Sequence, residues 1–389
     1  MVKISYMIGN GLDIHFGLHS KYTDFYAWLE QNPKKYKDNN LISDILTNIY
    51  AKEIDKTKEE NWDELTDWSD FEKELKKNLE FISKNENAIE IASRRVQELE
   101  EVSLLLREYL QNEEKKLKPL IEFNSELSTS SLSAPFLKLP PNHIALIRER
   151  LYNSFKNNPA NKSSSSINFI NFNYTSLLQE YIHTMKTVYV SNISDILNSQ
   201  SFEINNTIYY PNGDFDDSPE LGIGTEMDIP EGLFLSQDEI DYVSKESFAR
   251  RRMDYRLDKI INSIKTSDII VTYGLSLGES DALYIYHIVS TLIANKDTTA
   301  IVIMFDENYR KSNQGLRYFR KLDEIRTKIE KNYQHINSSE NNDDIDVKTI
   351  LNSRLLVLFD NGVKSENDPA TMTYFPFKEV KNVNSNNSK

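Results

Sequence analysis

Four short stretches of the chain carry residue types at spacings that do chemistry. The first is Gly9-Asn10-Gly11-Leu12-Asp13, which follows the apolar run 2–8 and leads into helix-compatible residues. A strand that turns into a helix on paired glycines leaves the first helical N–H groups free. Those donors, with the positive end of the helix dipole, suit a phosphate. Asp13 is close enough to that end to compete for the donors or to hydrogen-bond a ribose. The same spacing also makes a tight turn with no ligand.

The second stretch is Asn171-Phe172-Asn173-Tyr174-Thr175, at the C-terminal end of the strand-like run 167–171. Ligands of open α/β sheets lie outside the carboxyl ends of strands, where Asn173 can present its amide. Thr175 is placed to cap the helix that follows, and both residues also read as plain turn and cap residues. The third runs from Tyr273 through Gly274, Ser276 and Gly278 to Ser280 and Asp281. Gly274 lets backbone approach a ligand closely. The Gly-x-Ser-x-Gly spacing in a strand–turn–helix context invites a serine hydrolase with Ser276 as nucleophile. That chemistry needs a base, and none of the six histidines is identifiable as one. The fourth is Tyr210-Pro211-Asn212-Gly213 with Asp214, Asp216 and Asp217. It lacks the Gly and Glu placement of an EF-hand and reads as a solvated acidic turn. His15 and His19 have zinc-pair spacing but lack the Glu of the zinc-peptidase helix.

The elements that position these stretches alternate. Strands are predicted over residues 2–8, 167–171, 187–190, 269–273, 300–305 and 355–359, several of them continuously apolar, as in strands buried on both faces. Helices are predicted over 237–265 and 280–294, and a long one over 87–118 with a broad apolar stripe. Polar breaks fall at 128–133 and 157–166. The pattern predicts an α/β fold with a mainly parallel sheet and a large helical insertion, 31–165, after the first strand–helix unit. The tail after about residue 378 is rich in Asn, Ser and Lys and reads as disordered.

Composition narrows the function classes. The 389 residues are 39% hydrophobic, with 21 Tyr and 18 Phe, enough for a substantial core. Zero Cys excludes disulfides, a Cys nucleophile and Cys-based metal centres. A net charge of −14 argues against sequence-independent nucleic-acid binding. The Arg250-Arg251-Arg252 cluster, with Arg256, reads as a solvated face paired with Glu246 and Asp254. No secretory signal and no membrane-spanning run is visible, so a cytoplasmic protein with no membrane partner is expected.

In this order, the pieces resemble the AbiH family of bacterial abortive-infection proteins. The matching residues are Ile8-Gly9-Asn10-Gly11-Leu12-Asp13, Gly17-Leu18, Tyr22-Thr23-Asp24-Phe25, Trp68-Ser69-Asp70-Phe71-Glu72, Phe172-Asn173-Tyr174-Thr175 and the stretch from Gly274 to Asp281. The resemblance implies defence against phage. AbiH proteins are in turn similar to sirtuin-like NAD-binding domains, in which a Gly-x-Gly turn holds the dinucleotide. That similarity implies a Rossmann-like core from residues 1–30 and 166–360, with 361–389 as a C-terminal segment. It makes Asn173 the catalytic amide, with Asp13 and Asn212 beside it. Gly9, Asn10, Gly11, Asp13, Tyr174, Thr175, Gly274, Ser276 and Asp281 would contact NAD, as ligand or as substrate cleaved at its nicotinamide–ribose bond. Two positions depart from the sirtuin-like pattern: Thr175 stands where that pattern has Asp, and Asn212 where it has His. An Asn does not titrate near neutral pH, which favours a nucleotide-sensing module without catalysis as the alternative. The insertion is expected to meet a phage or host protein or a second copy of the chain.

Overall fold

The computed structural model describes residues 2–56, 70–157, 165–185, 189–190, 193, 196–197, 202–216, 219–251, 255–305, 315–337, 346–360 and 379–380. Seven strands form one sheet in the order β4-β5-β3-β1-β6-β7-β8. They are β1 (Lys3–Ile8), β3 (Ser165–Asn171), β4 (Tyr189–Val190), β5 (Phe202–Tyr209), β6 (Ile269–Tyr273), β7 (Thr299–Phe305) and β8 (Leu355–Asp360). All pairs are parallel except β4 on β5, which is an antiparallel edge. Numbered in chain order, the six parallel strands run 3-2-1-4-5-6 in space, the doubly wound Rossmann order. The winding reverses between β1 and β6, which therefore flank the switch point. Outside this sheet, β2 (Ile121–Glu122) pairs with β9 (Glu379–Val380).

The sheet is covered on both faces, and strand periodicity assigns residues to each. Ile4, Tyr6 and Ile8 join one core with Ile167, Phe169, Ile269 and Val271. Met7, Ile170 and Ile270 join the other. The first face is packed by Phe16 of helix α1 (Gly11–Phe16), by Tyr181 and Ile182 of the helix Leu177–Thr184, and by Phe136, Ile147 and Leu151. The second is packed by the helices Arg256–Lys265, Ala282–Ala294, Leu316–Asn337 and Val347–Arg354.

A third apolar cluster lies apart from the sheet. It joins helices Tyr22–Gln31, Asn40–Lys56, Asp70–Ile82 and Ala88–Leu117 with Leu221, Ile223, Leu233, Leu235 and Val243. Most of the broad stripe on the long helix is thus buried: Val96, Leu99, Val102, Leu106, Tyr109 and Leu110 are enclosed, while Ile89 at its start is exposed.

Several local expectations are corrected. The strand β5 lacks a clean apolar run because Asn205 interrupts it. There the pairing with β3 shifts register, and the Asn205 side chain accepts a bond from the Thr207 amide. The expected helix 237–265 is three helices, Gln237–Val243, Lys245–Arg251 and Arg256–Lys265, the last starting after Tyr255 in the left-handed region at φ 54°. The polar break 128–133 is mostly helical, within Ser125–Ser131, and the buried Ser131 hydroxyl shares a 2.6 Å bond with the Tyr181 hydroxyl. The charged run 316–337, outside the predicted elements, is the helix Leu316–Asn337, with Tyr318, Leu322, Ile325, Ile329 and Tyr333 at helical spacing. Residues 187–188, the linker positions 158–164 and the tail beyond 380 lie outside the described residues.

Candidate functional site

The glycine turn after β1 and the glycine after β6 meet at the switch point. The Gly9 amide donates to the Tyr273 carbonyl at 2.8 Å, and the Gly11 amide to the Gly274 carbonyl at 3.0 Å. The Leu12 amide donates to the Gly9 carbonyl at 3.1 Å. A Cβ on Gly9 would stand 2.5 Å from the Gly274 oxygen, and one on Gly11 2.5 Å from the Gly274 Cα. Gly274 itself sits at φ 67°. The Gly9, Gly11 and Leu12 amides are thus used within the fold and are not free helix donors. The glycines are required because two backbones touch, and α1 is only six residues long.

Next to this contact opens a cleft of about 90 Å³, continuous with solvent. Gly9, Asn10 and Asp13 line it from the β1 end, Asn173 and Tyr174 from the β3 end, and Gly274, Ser276 and Asp281 from the β6 end. Asn212 lines it too. Nine of the eleven sequence-derived site residues therefore converge. The other two stand behind the wall: Gly11 against Gly274, and Thr175 with its hydroxyl donating to Asp13 Oδ2 at 2.7 Å. Thr175 is thus not the helix cap; Ser176 holds that position without a side-chain cap bond.

Asn173 is fixed from two sides. Its Nδ2 donates to the Gly9 carbonyl at 3.2 Å and to Asp13 Oδ1 at 3.3 Å. Both amide hydrogens are then used, and this fixes which way the carboxamide faces. Its Oδ1 is buried and has no partner among the described residues. An orphaned buried acceptor on a cleft wall is an observation that points to a ligand or a water.

Two carboxyls of the cleft are shifted in protonation. Burial pushes Asp13 up to about 8; bonds from Thr175 and Asn173 pull against it and nearby Glu114 adds to it. Burial pushes Asp281 up to about 6, with Glu72 adding to the rise and Lys245 and the Ser276 hydroxyl opposing it. Asp281 therefore changes charge just below neutral pH, the range useful for a general base.

The opposite wall comes from residues that sequence reasoning did not assign to the site. Tyr22, Glu72, Leu106 and Leu110 are contributed by the helices of the third cluster, and Lys245 by the helix Lys245–Arg251. Lys245 Nζ donates to Glu72 Oε1, and the two side chains are only 12% and 10% exposed. Burial lowers the lysine's pKa, but the Glu72 and Tyr174 charges outweigh it and the group is held well above its ordinary range. Tyr22 and Tyr174 share a hydrogen bond, and burial holds Tyr174 up at about 12. Glu72 was legible as part of a family-like motif. Lys245 carried no signal, lying mid-way in what reads as one helix.

The remaining candidates resolve locally. Asn212 is anchored, its Nδ2 donating to the Phe172 carbonyl at 2.9 Å and its carbonyl accepting from the Glu220 amide at 2.8 Å. The Ser276 hydroxyl donates to Asp281 Oδ2 at 3.1 Å and accepts from the Gly278 amide at 3.2 Å. Its loop is pinned from below: Lys328 Nζ donates to the Ser276 carbonyl and Asn332 Nδ2 to the Leu277 carbonyl. Among the described residues no histidine lines the cleft, neither His15 nor His183. The Asp216 amide donates to Asp214 Oδ1 at 2.8 Å in an acidic turn, and Asp217 lies outside the described residues. Arg250 pairs with Glu246, Arg251 with Asp238 and Asp241, and Arg256 with Glu220; Arg252 and Asp254 lie outside the described residues.

The family model for bacteriophage abortive infection, AbiH, matches residues 5–305. The chain belongs to the AbiH family. The match runs from within β1 to the end of β7, so every wall of the cleft lies inside it. Membership gives this AbiH-family chain a bacterial anti-phage abortive-infection role. No curated protein matched the chain. Among the described residues, no helix is long and apolar enough to cross a membrane.

Proposed function

We propose that this AbiH-family chain acts in phage defence by binding NAD in the switch-point cleft and hydrolysing its nicotinamide–ribose bond. The observation that carries the reading is Asn173: buried, held by Gly9 and Asp13, and left with an unpartnered Oδ1 on the cleft wall. That oxygen is suited to accept from a ribose hydroxyl or from the attacking water. NAD supplies a bond whose leaving nitrogen departs neutral with the bonding electron pair, so no acid is needed at that atom. Asp281, ionised above about pH 6, takes the proton of the water that adds to the ribose carbon. Asp13, kept protonated through neutral pH by its burial, holds the Asn173 amide without adding a charge. The anchored Asn212 shapes the floor and does not exchange protons. The sirtuin-like likeness belongs to this reading, as do the cytoplasm as its place of action and the helical cluster as the face for a phage or host trigger or a second copy.

The test is nicotinamide release by the purified chain, alone and with phage-infected lysate. Release that disappears in Asn173→Ala supports hydrolysis; no release from the wild type under either condition overturns it. A second reading, a nucleotide-sensing module without turnover, is favoured by the cleft's lining, which holds no histidine among the described residues. NAD binding without nicotinamide release, with defence surviving Asn173→Ala, would select it.

A further inference from the structure

Three features of the cleft bear on which part of a nucleotide it can recognise. The first is where the turn's donors go. The Gly9, Gly11 and Leu12 amides are all donated within the protein. The Asn10 side chain is also occupied, accepting from the Ser20 hydroxyl at 2.8 Å. A Rossmann turn that grips a diphosphate needs such amides directed at the ligand.

The second is charge. Among the described residues, Lys245 is the one cationic side chain lining the cleft, and its Nζ is held by Glu72 in a buried pair. Asp281 lies in the same lining. A diphosphate entering would meet two carboxylates with the ammonium already neutralised, and freeing that ammonium would leave Glu72 buried and unpaired. The third is what the walls do offer. They present the Asn173 Oδ1 acceptor, the Asp281 carboxylate and the Tyr22 and Tyr174 rings. Acceptors suit ribose hydroxyls, and carboxylates with aromatic faces suit a cationic ring.

We infer that the cleft recognises the ribosyl-pyridinium unit itself and gives the diphosphate no free cation among the described residues, so its substrate class is N-ribosyl pyridiniums with or without a diphosphate attached. The inference rests on the NAD reading proposed above and narrows it. The rest of a dinucleotide would extend through the open mouth toward solvent.

Calorimetry on the full chain tests it with two probes that do not turn over. These are the carbocyclic analogues of NAD and of nicotinamide riboside, in which a methylene replaces the ribose ring oxygen. The two dissociation constants are expected to agree within about threefold. A preference for the NAD analogue of about tenfold or more overturns the inference and leaves the NAD reading standing. Failure of both analogues to bind overturns both. In Glu72→Gln, which releases the Lys245 charge, the NAD analogue is expected to gain about tenfold over the riboside analogue. An unchanged ratio in a folded variant overturns the role given to the Glu72–Lys245 pair, and the wild-type ratio decides the rest without it.

Discussion

Gly11 and Gly274 touch backbone to backbone, with the Gly11 amide donating to the Gly274 carbonyl at 3.0 Å across the ends of β1 and β6. The contact joins two strands separated by more than half the chain and forms the edge of the cleft. Gly11→Ala would drive a methyl to 2.5 Å from the Gly274 Cα, where only backbone can give way. We expect a loss of roughly 1–3 kcal/mol, read as a lower urea midpoint. Gly315→Ala, where an added Cβ meets nothing within 4 Å, is the control and should stay within about 0.5 kcal/mol of wild type.

Glu72 and Lys245 form a buried ion pair between the helices Asp70–Ile82 and Lys245–Arg251. Lys245→Met leaves Glu72 buried without its partner and should cost about 3–5 kcal/mol in denaturant unfolding. The double change Lys245→Met with Glu72→Leu should recover much of that loss. A double variant no more stable than the single one would show that the pair is not what holds the two parts together.

Asp281 sets a prediction in pH. Its carboxyl, raised to about 6 chiefly by burial, is protonated below that value and ionised above it. If it takes the proton of the attacking water, nicotinamide release should climb through about pH 6 and level off above. Asp281→Asn should abolish the climb along with most of the rate. A rate that is flat from pH 5 to pH 8, read at about unit intervals, would remove Asp281 from this role.

Asp13 predicts a stability trend of a defined sign. Burial raises its folded pKa from 3.8 to about 8, so the folded state holds the proton more tightly than the unfolded chain. Its contribution is complete below the unfolded value and is lost as pH rises through about 8. Asp13→Asn removes the ionisation. The variant's thermal midpoint should therefore gain on wild type as pH is raised across that window, and parallel curves would contradict the shift.

Ser276 makes a negative prediction. Its hydroxyl is bonded to Asp281, and among the described residues no histidine lines the cleft with it. A fluorophosphonate probe should leave it unlabelled, and labelling lost in Ser276→Ala would restore the serine hydrolase reading.

Much of the site was legible because ligand-facing residues of an open α/β sheet sit at strand ends, and strand ends are marked by apolar runs that stop at glycine or asparagine. Gly9, Asn173 and Gly274 are marked in this way by local sequence alone. The residues missed share a physical reason. Lys245 reaches the cleft only because one apparent helix breaks at Ser244, and its partner Glu72 is brought across from another helix cluster. The helix Leu316–Asn337, which pins the Ser276 loop through Lys328 and Asn332, shows only spaced apolar residues in a charged run.

The sequence by itself determined the parallel α/β class, the strand-end positions of the site and the family, since these follow from local periodicity and from short motifs in order. Tertiary structure alone decided what the glycine turn does. Hydrogen-bond donors go to whichever acceptor the fold brings near. Strand order places the Gly274 carbonyl against the Gly11 amide, so the turn became a clasp between strands, and the unpaired acceptor fell to Asn173 instead.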